Sequence, residues 1–120
     1  MAGCRIAAGL LAGVTLAMLN LTAAAQQRPS PPPPPPAIDC ASPKHPAERA
    51  ICTTAKLDKW EKERHEALKR IWDRARTNRQ RALMRRQHTE WEMKRNRCGL
   101  DRSCLSRIYT EKLNELQVRR

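Results

Sequence analysis

The sequence predicts an all-α fold, a small disulfide-stapled helical hairpin or bundle of three to four helices. Three observations carry that prediction. From Ala47 to Arg97 there is neither glycine nor proline, and charged residues recur every second or third position, a composition that favours helix. Within that run and beyond it, apolar residues return at steps of three and four, the spacing of one helical face. Four cysteines fall in two close pairs, Cys40 with Cys52 and Cys98 with Cys104, the pattern of a short exported domain held by disulfides.

The first segment, residues 1–25, has the layout of a secretory signal peptide. Arg5 is its single charge, an apolar run covers Ile6 to Leu19, and Ala23-Ala24-Ala25 offers small residues for cleavage before Gln26. The competing reading is an uncleaved signal anchor, since apolar character continues to Ala25 and approaches the length a bilayer needs. Cys4 precedes the apolar run, where a lipoprotein peptidase could not use it, so no lipid anchor is expected. The mature product is expected to be periplasmic or secreted. Residues 26–37 form a proline-rich linker with six consecutive prolines, Pro31 to Pro36. Proline fixes φ and has no N–H, so this stretch is expected to extend as polyproline II, a stiff spacer at about 3.1 Å per residue. That role is preferred over a ligand for a proline-recognising domain, which belongs to a eukaryotic cytosol.

Residues 38–120 form the helical domain. It contains no phenylalanine, one tyrosine and three tryptophans, so its core is thin and needs help beyond burial. Four cysteines allow three pairings. The two local ones are favoured because each closes a short loop beside a helix end, and a loop of about 15 residues closed this way contributes roughly 3 kcal/mol. A zinc site made by these cysteines with His45, His65 or His88 competes poorly, because no Cys-x-x-Cys spacing is present. No cofactor is expected.

The helices follow in order. Pro46 suits a first helical position and opens a short helix to Cys52. Thr53 or Thr54 caps the next, in which Leu57, Trp60, Leu68, Ile71, Trp72 and Ala75 form the core-facing stripe. Asp58 precedes Lys62, and Glu66 precedes Arg70, by the four residues that allow helical ion pairs. Thr77-Asn78 is the weakest helical stretch, and a bend there makes a hairpin. One straight rod from Thr54 to Arg97 is the alternative, and it would leave its apolar stripe short of partner surface. Beyond the bend, Leu83, Met84, Gln87 and Trp91 are expected to continue the apolar seam to Cys98. Gly99 stops that helix. Asp101 or Ser103 caps the last one, with Cys104, Leu105, Ile108, Tyr109, Leu113 and Leu116 on its inner face.

No catalytic motif stands out: there is no Ser-His-Asp constellation, no His-Glu-x-x-His and no glycine-rich phosphate loop. His65 and His88 are expected on solvated faces, and Asp58, Glu61, Glu63 and Glu66 as helix-surface charges. A non-enzymatic protein is the expectation. Charge is the most suggestive feature, with a formal net of +12 for the whole chain. Lys69, Arg70, Arg74, Arg76, Arg79, Arg81, Arg85 and Arg86 crowd one stretch that holds a single acid, Asp73. A hairpin gathers them at one tip, and Arg74, Arg76, Arg79, Arg81, Arg85 and Arg86 are the candidate contacts for an anionic partner. Such a partner would be an envelope polymer, an anionic lipid or an acidic protein cleft. The competing reading is a solvated face that keeps the protein soluble. Export and the shortage of exposed aromatics for base stacking argue against nucleic acid.

Ile38-Asp39-Cys40, Pro46-Ala47-Glu48-Arg49-Ala50-Ile51-Cys52 and Leu57-Asp58 resemble the opening of the lysozyme-inhibitor LprI-like N-terminal domain family. Gln87 with Trp91 four residues on, Arg95, Cys98-Gly99, Cys104-Leu105, Tyr109 and Leu116 extend the resemblance through Gln117. It implies a small, exported, helical, disulfide-bonded domain, and it suggests lysozyme or another muramidase as partner. A glycosidase cleft works through two carboxylates, which a cationic side chain could engage. The chain departs from the family pattern in lacking a lipid-attachment cysteine and in its high positive charge. Long-range repulsion would slow its encounter with a basic lysozyme.

Overall fold

The structure is a computed structural model, and it describes residues 29–118. The expected signal segment and the first residues of the linker lie outside that range. The described residues form four helices and no strand: α1 Pro46–Cys52, α2 Ala55–Arg74, α3 Asn78–Asn96 and α4 Arg102–Val118.

Local chemistry sets each boundary. Pro46 sits in the first turn of α1, where its missing N–H costs nothing. Glu48 reaches back to accept the Lys44 N–H. At the other end the Thr53 hydroxyl donates to the Arg49 carbonyl at 2.8 Å. Thr54 takes the N-cap position of α2. The hairpin expected at Thr77-Asn78 is present, and its cause is specific. Thr77 Oγ1 accepts from the Gln80 N–H at 3.1 Å, while Gln80 Oε1 accepts from the Thr77 N–H at 3.1 Å and the Arg76 N–H at 2.8 Å. This reciprocal capping box starts a new helix rather than prolonging the old one. Gly99 has φ +54°, a left-handed conformation that favours glycine and ends the α3 side of the corner. Asp101 caps α4 through its Oδ1, which accepts from the Cys104 N–H at 3.0 Å.

Helix α4 packs chiefly on α2, and α1 rests against α2, α3 and α4. Ala47, Ala50, Ile51, Leu57, Trp91, Cys98, Leu105, Ile108 and Tyr109 make the continuous core, with Ile38, Trp60 and Cys104 packed on its edge. Both local cysteine pairs are disulfides: Cys40–Cys52 ties the approach segment to the end of α1, and Cys98–Cys104 spans the α3–α4 corner. Two disulfides suit an oxidising compartment. No described helix is long and apolar enough to cross a membrane.

Several expectations need correction. Leu83 is 46% exposed, so the seam in α3 runs instead through half-buried Met84 and Gln87 to buried His88, Trp91 and Arg95. Glu66 pairs with Lys69 at 3.6 Å rather than with Arg70. The pair expected between Asp58 and Lys62 is present at 2.6 Å. The proline run is free of helix and strand as expected, yet it does not stand clear of the domain. The Trp72 indole N–H donates to the Pro32 carbonyl at 2.9 Å, and Arg85 Nη2 donates to the Pro33 carbonyl at 3.2 Å.

Candidate functional site: an arginine-rich tip on a buried ionic core

The tip stands on a centre that is polar. Glu61 and Arg64 occupy the inward stripe of α2 between Leu57 and Leu68, and α3 contributes His88, Trp91 and Arg95 at the same three- and four-residue steps. Arg64 grips Glu61 bidentately, Nε to Oε2 at 2.8 Å and Nη2 to Oε1 at 2.7 Å. The Tyr109 hydroxyl, arriving from α4, donates to the same Oε2 at 2.7 Å. Arg64 Nη1 lies 3.4 Å from His88 Nδ1; a guanidinium only donates, so this ring nitrogen accepts. The other ring nitrogen of His88 is 3.3 Å from Glu92 Oε1.

Trp91 provides the apolar face for both buried guanidiniums. Its ring centroid is 4.5 Å from Arg64 Cζ and 5.3 Å from Arg95 Cζ, a cation–π arrangement that partly replaces lost hydration. Its indole also meets Tyr109 edge-on at 5.4 Å. Arg95 Nη2 donates to Glu48 Oε1 at 3.2 Å and to Asn96 Oδ1 at 3.0 Å, which links α3 to α1. Both arginines are only 1% exposed. A charge so far from water is tolerable only when paired and hydrogen-bonded.

The titration of this core follows from its contacts. Burial pushes the Glu61 carboxyl up, but the Arg64 hydrogen bonds and charge, with smaller help from Tyr109 and Arg95, outweigh it and hold Glu61 below the ordinary carboxylate value. Burial pushes the Tyr109 phenol far up, and the neighbouring Glu61 charge and hydrogen bond push the same way. Contact with His88 lowers Glu92 against the opposing effect of burial. Burial and then the Arg64 charge lower His65.

Glu61 and His88 are thus corrections to the sequence reading, which put both on solvated faces; they are 4% and 5% exposed. His65 is half-buried, while Glu63 and Glu66 are exposed as expected. The missed residues did leave a signal. Positions 57, 61, 64 and 68 form one unbroken stripe, so the charged pair had to share the core face with the leucines.

The six candidate arginines lie together at the α2–α3 turn and along α3, but their situations differ. Arg76, Arg79 and Arg86 are exposed, and among the described residues none of them forms an ion pair with a carboxylate. Arg74 is also exposed, with its Nε on the Arg70 carbonyl at 3.2 Å. Arg81 turns back to donate to the Ala75 carbonyl and closes the hairpin. Arg85 lies over the Trp72 ring, 5.3 Å from its centroid, as well as on Pro33. Arg81 and Arg85 therefore shape the tip, while Arg74, Arg76, Arg79 and Arg86 present its charge.

Among the described residues no group of three or more histidine, cysteine or acidic side chains is arranged to hold a metal ion. The four cysteines of the domain are consumed in disulfides. Compared with known proteins, the chain matches no family model, no curated protein and no solved structure.

Proposed function

We propose that this is an exported, non-enzymatic binding protein of the lysozyme-inhibitor LprI-like kind, periplasmic or secreted, that engages an acidic partner through its arginine tip. The leading target is a muramidase cleft. The observation that carries this reading is the contrast in pairing: the core arginines are held by carboxylates, whereas Arg76, Arg79 and Arg86 face solvent without one. A capping box and an arginine–carbonyl bond hold the turn between α2 and α3, so the tip is preorganised and loses little freedom on binding. A guanidinium projected toward the paired carboxylates of a glycosidase would form charge-assisted hydrogen bonds with them.

A second reading is supported by the spread of the exposed arginines over the turn and along α3. Charge distributed in this way suits an extended anionic envelope polymer or lipid surface as well as a single cleft.

Muramidase assays with the full oxidised protein separate the two. At about 0.15 M salt the Debye length is roughly 8 Å, and diffuse attraction is largely screened. Inhibition that persists there, and that is lost on reduction of the disulfides, supports the cleft reading. Animal-type and bacterial enzymes belong side by side in that assay, since positive charge disfavours a basic target. Full activity of every muramidase at large excess of folded protein would end the inhibitor reading and leave the envelope partner.

A further inference from the structure

The proline run touches the domain through a particular chemistry. A polyproline segment has no internal hydrogen bonds, and its prolines have no N–H, so its carbonyls are acceptors awaiting donors. The domain supplies two, from different helices: the Trp72 indole N–H of α2 to Pro32, and the Arg85 guanidinium of α3 to Pro33. Arg85 also lies over the Trp72 ring, so aromatic face and donors form one unit. Trp72 is 3% exposed although it stands outside the continuous core, and Pro35 is buried as well.

The lengths agree with a strap laid along α2. From Pro32 to Ile38 an extended proline segment covers about 19 Å. From Trp72 back to Glu61, α2 covers about 17 Å. At the far end Ile38 packs on the core edge, and Ala37 and Ile38 share a surface hollow with Glu61 and His65. Polyproline II ligands dock in aromatic-lined grooves because their extended form is set in advance and little freedom is lost on binding. Here Trp72 supplies the aromatic face and, with Arg85, the donors to the proline carbonyls.

We propose that the Trp72–Arg85 face is a polyproline-recognition site, filled in cis by Pro32–Pro35 and open to a proline-rich segment of a second protein when that strap is displaced. This goes beyond the arginine-tip reading, because the ligand is uncharged and the site uses side chains that shape the tip rather than those that present its charge. A tethered occupant acts at millimolar or higher effective concentration, so the strap gates access to the site.

The test uses the full chain with Pro32, Pro33, Pro34 and Pro35 replaced by serine. The probe is a synthetic peptide of residues 29–37, followed by tryptophan fluorescence at about 0.15 M salt; a glycine–serine peptide of equal length is the control. The substituted chain should bind the peptide saturably, and the unaltered chain at least tenfold more weakly. Adding Trp72→Phe and Arg85→Ala to the substituted chain should weaken binding at least tenfold. No saturable binding by a chain that keeps its helical circular dichroism would overturn the proposal, as would binding indifferent to Trp72 and Arg85. If the fourfold substitution unfolds the helices, Pro32→Ser with Pro33→Ser, which keeps the two backbone carbonyls but frees the φ angles that hold the segment extended, serves the same comparison. In the unaltered chain the Trp72 indole proton should exchange slowly with solvent. Exchange as fast as that of a free indole would mean that no strap is seated, and would also overturn the proposal.

Discussion

Arg64 and Arg79 are the same residue type on successive helices, yet they serve opposite purposes. Arg64, 1% exposed, is locked to Glu61, stacked on Trp91 and set beside His88. Arg79 is exposed and forms no ion pair with a described carboxylate. The buried arginines hold helices together in a domain with few aromatic residues, and the exposed ones keep their charge in solvent. A count of basic residues does not separate these roles. The helical face that each residue occupies does.

The largest effect should follow from breaking the buried pair. Arg64→Ala or Glu61→Gln strands a partner without its charge and should cost about 3–5 kcal/mol, read as the loss of unfolding free energy in urea. Replacing the pair by well-packed apolar residues should cost far less, because desolvation is then avoided on both sides. If Arg64→Ala were no more damaging than Arg79→Ala, the distinction between core and tip would fail.

The disulfides come next. Cys40→Ala with Cys52→Ala should cost about 3 kcal/mol, and Cys98→Ala with Cys104→Ala about 2 kcal/mol, since the second pair closes the shorter loop. Thermal unfolding of the oxidised variants measures both.

The third prediction concerns pH. Tyr109 is the chain's one tyrosine, so its phenolate absorbance reports a single site. Its folded pKa is raised, so the stability it contributes is present below the ordinary phenol pKa and is lost as pH rises toward the folded value. The phenolate should therefore appear only as the protein unfolds in alkali. Glu61 has the opposite sign: its folded pKa is lowered, so its contribution is present above the ordinary carboxylate value, about 4.3, and is lost as pH falls through the lower folded value. A phenol that titrates near 10 in folded protein would dissolve the Glu61–Tyr109 contact.

The helical class, the first proline of α1 and the glycine stop could be read from neighbouring residues, whereas the bend and the two local cysteine pairings were favoured among alternatives that the sequence left open and that the structure decides. The reason for the bend was also written there, as Thr77-Asn78-Arg79-Gln80, which matches a capping box. The ionic core was less legible. Charged residues are ordinarily placed outside, and only the stripe through positions 57, 61, 64 and 68 contradicts that prior. The partner of Glu61, Tyr109, is 48 residues away, and no local pattern pairs them. The seating of the proline run was not legible either, because composition fixes how that segment extends but not what it lies against. At the tip, the sequence grouped six arginines correctly by location. It could not show that Arg81 and Arg85 spend their donors on backbone carbonyls.

The smallest stability effect should come from the tip. Arg76→Gln, Arg79→Gln and Arg86→Gln alter exposed helix or turn positions, and each should change stability by less than about 0.5 kcal/mol. Their effect on binding should be large. The measurement is the activity of a panel of muramidases, together with adsorption to anionic vesicles at low salt, for the unaltered protein and the triple variant at matched concentrations. The unaltered protein should bind an acidic target, and the variant should lose most of that binding while its unfolding midpoint stays within a few degrees. Binding undiminished in a fully folded triple variant would rule out the arginine tip as the binding surface and leave the exposed arginines as a solubilising surface.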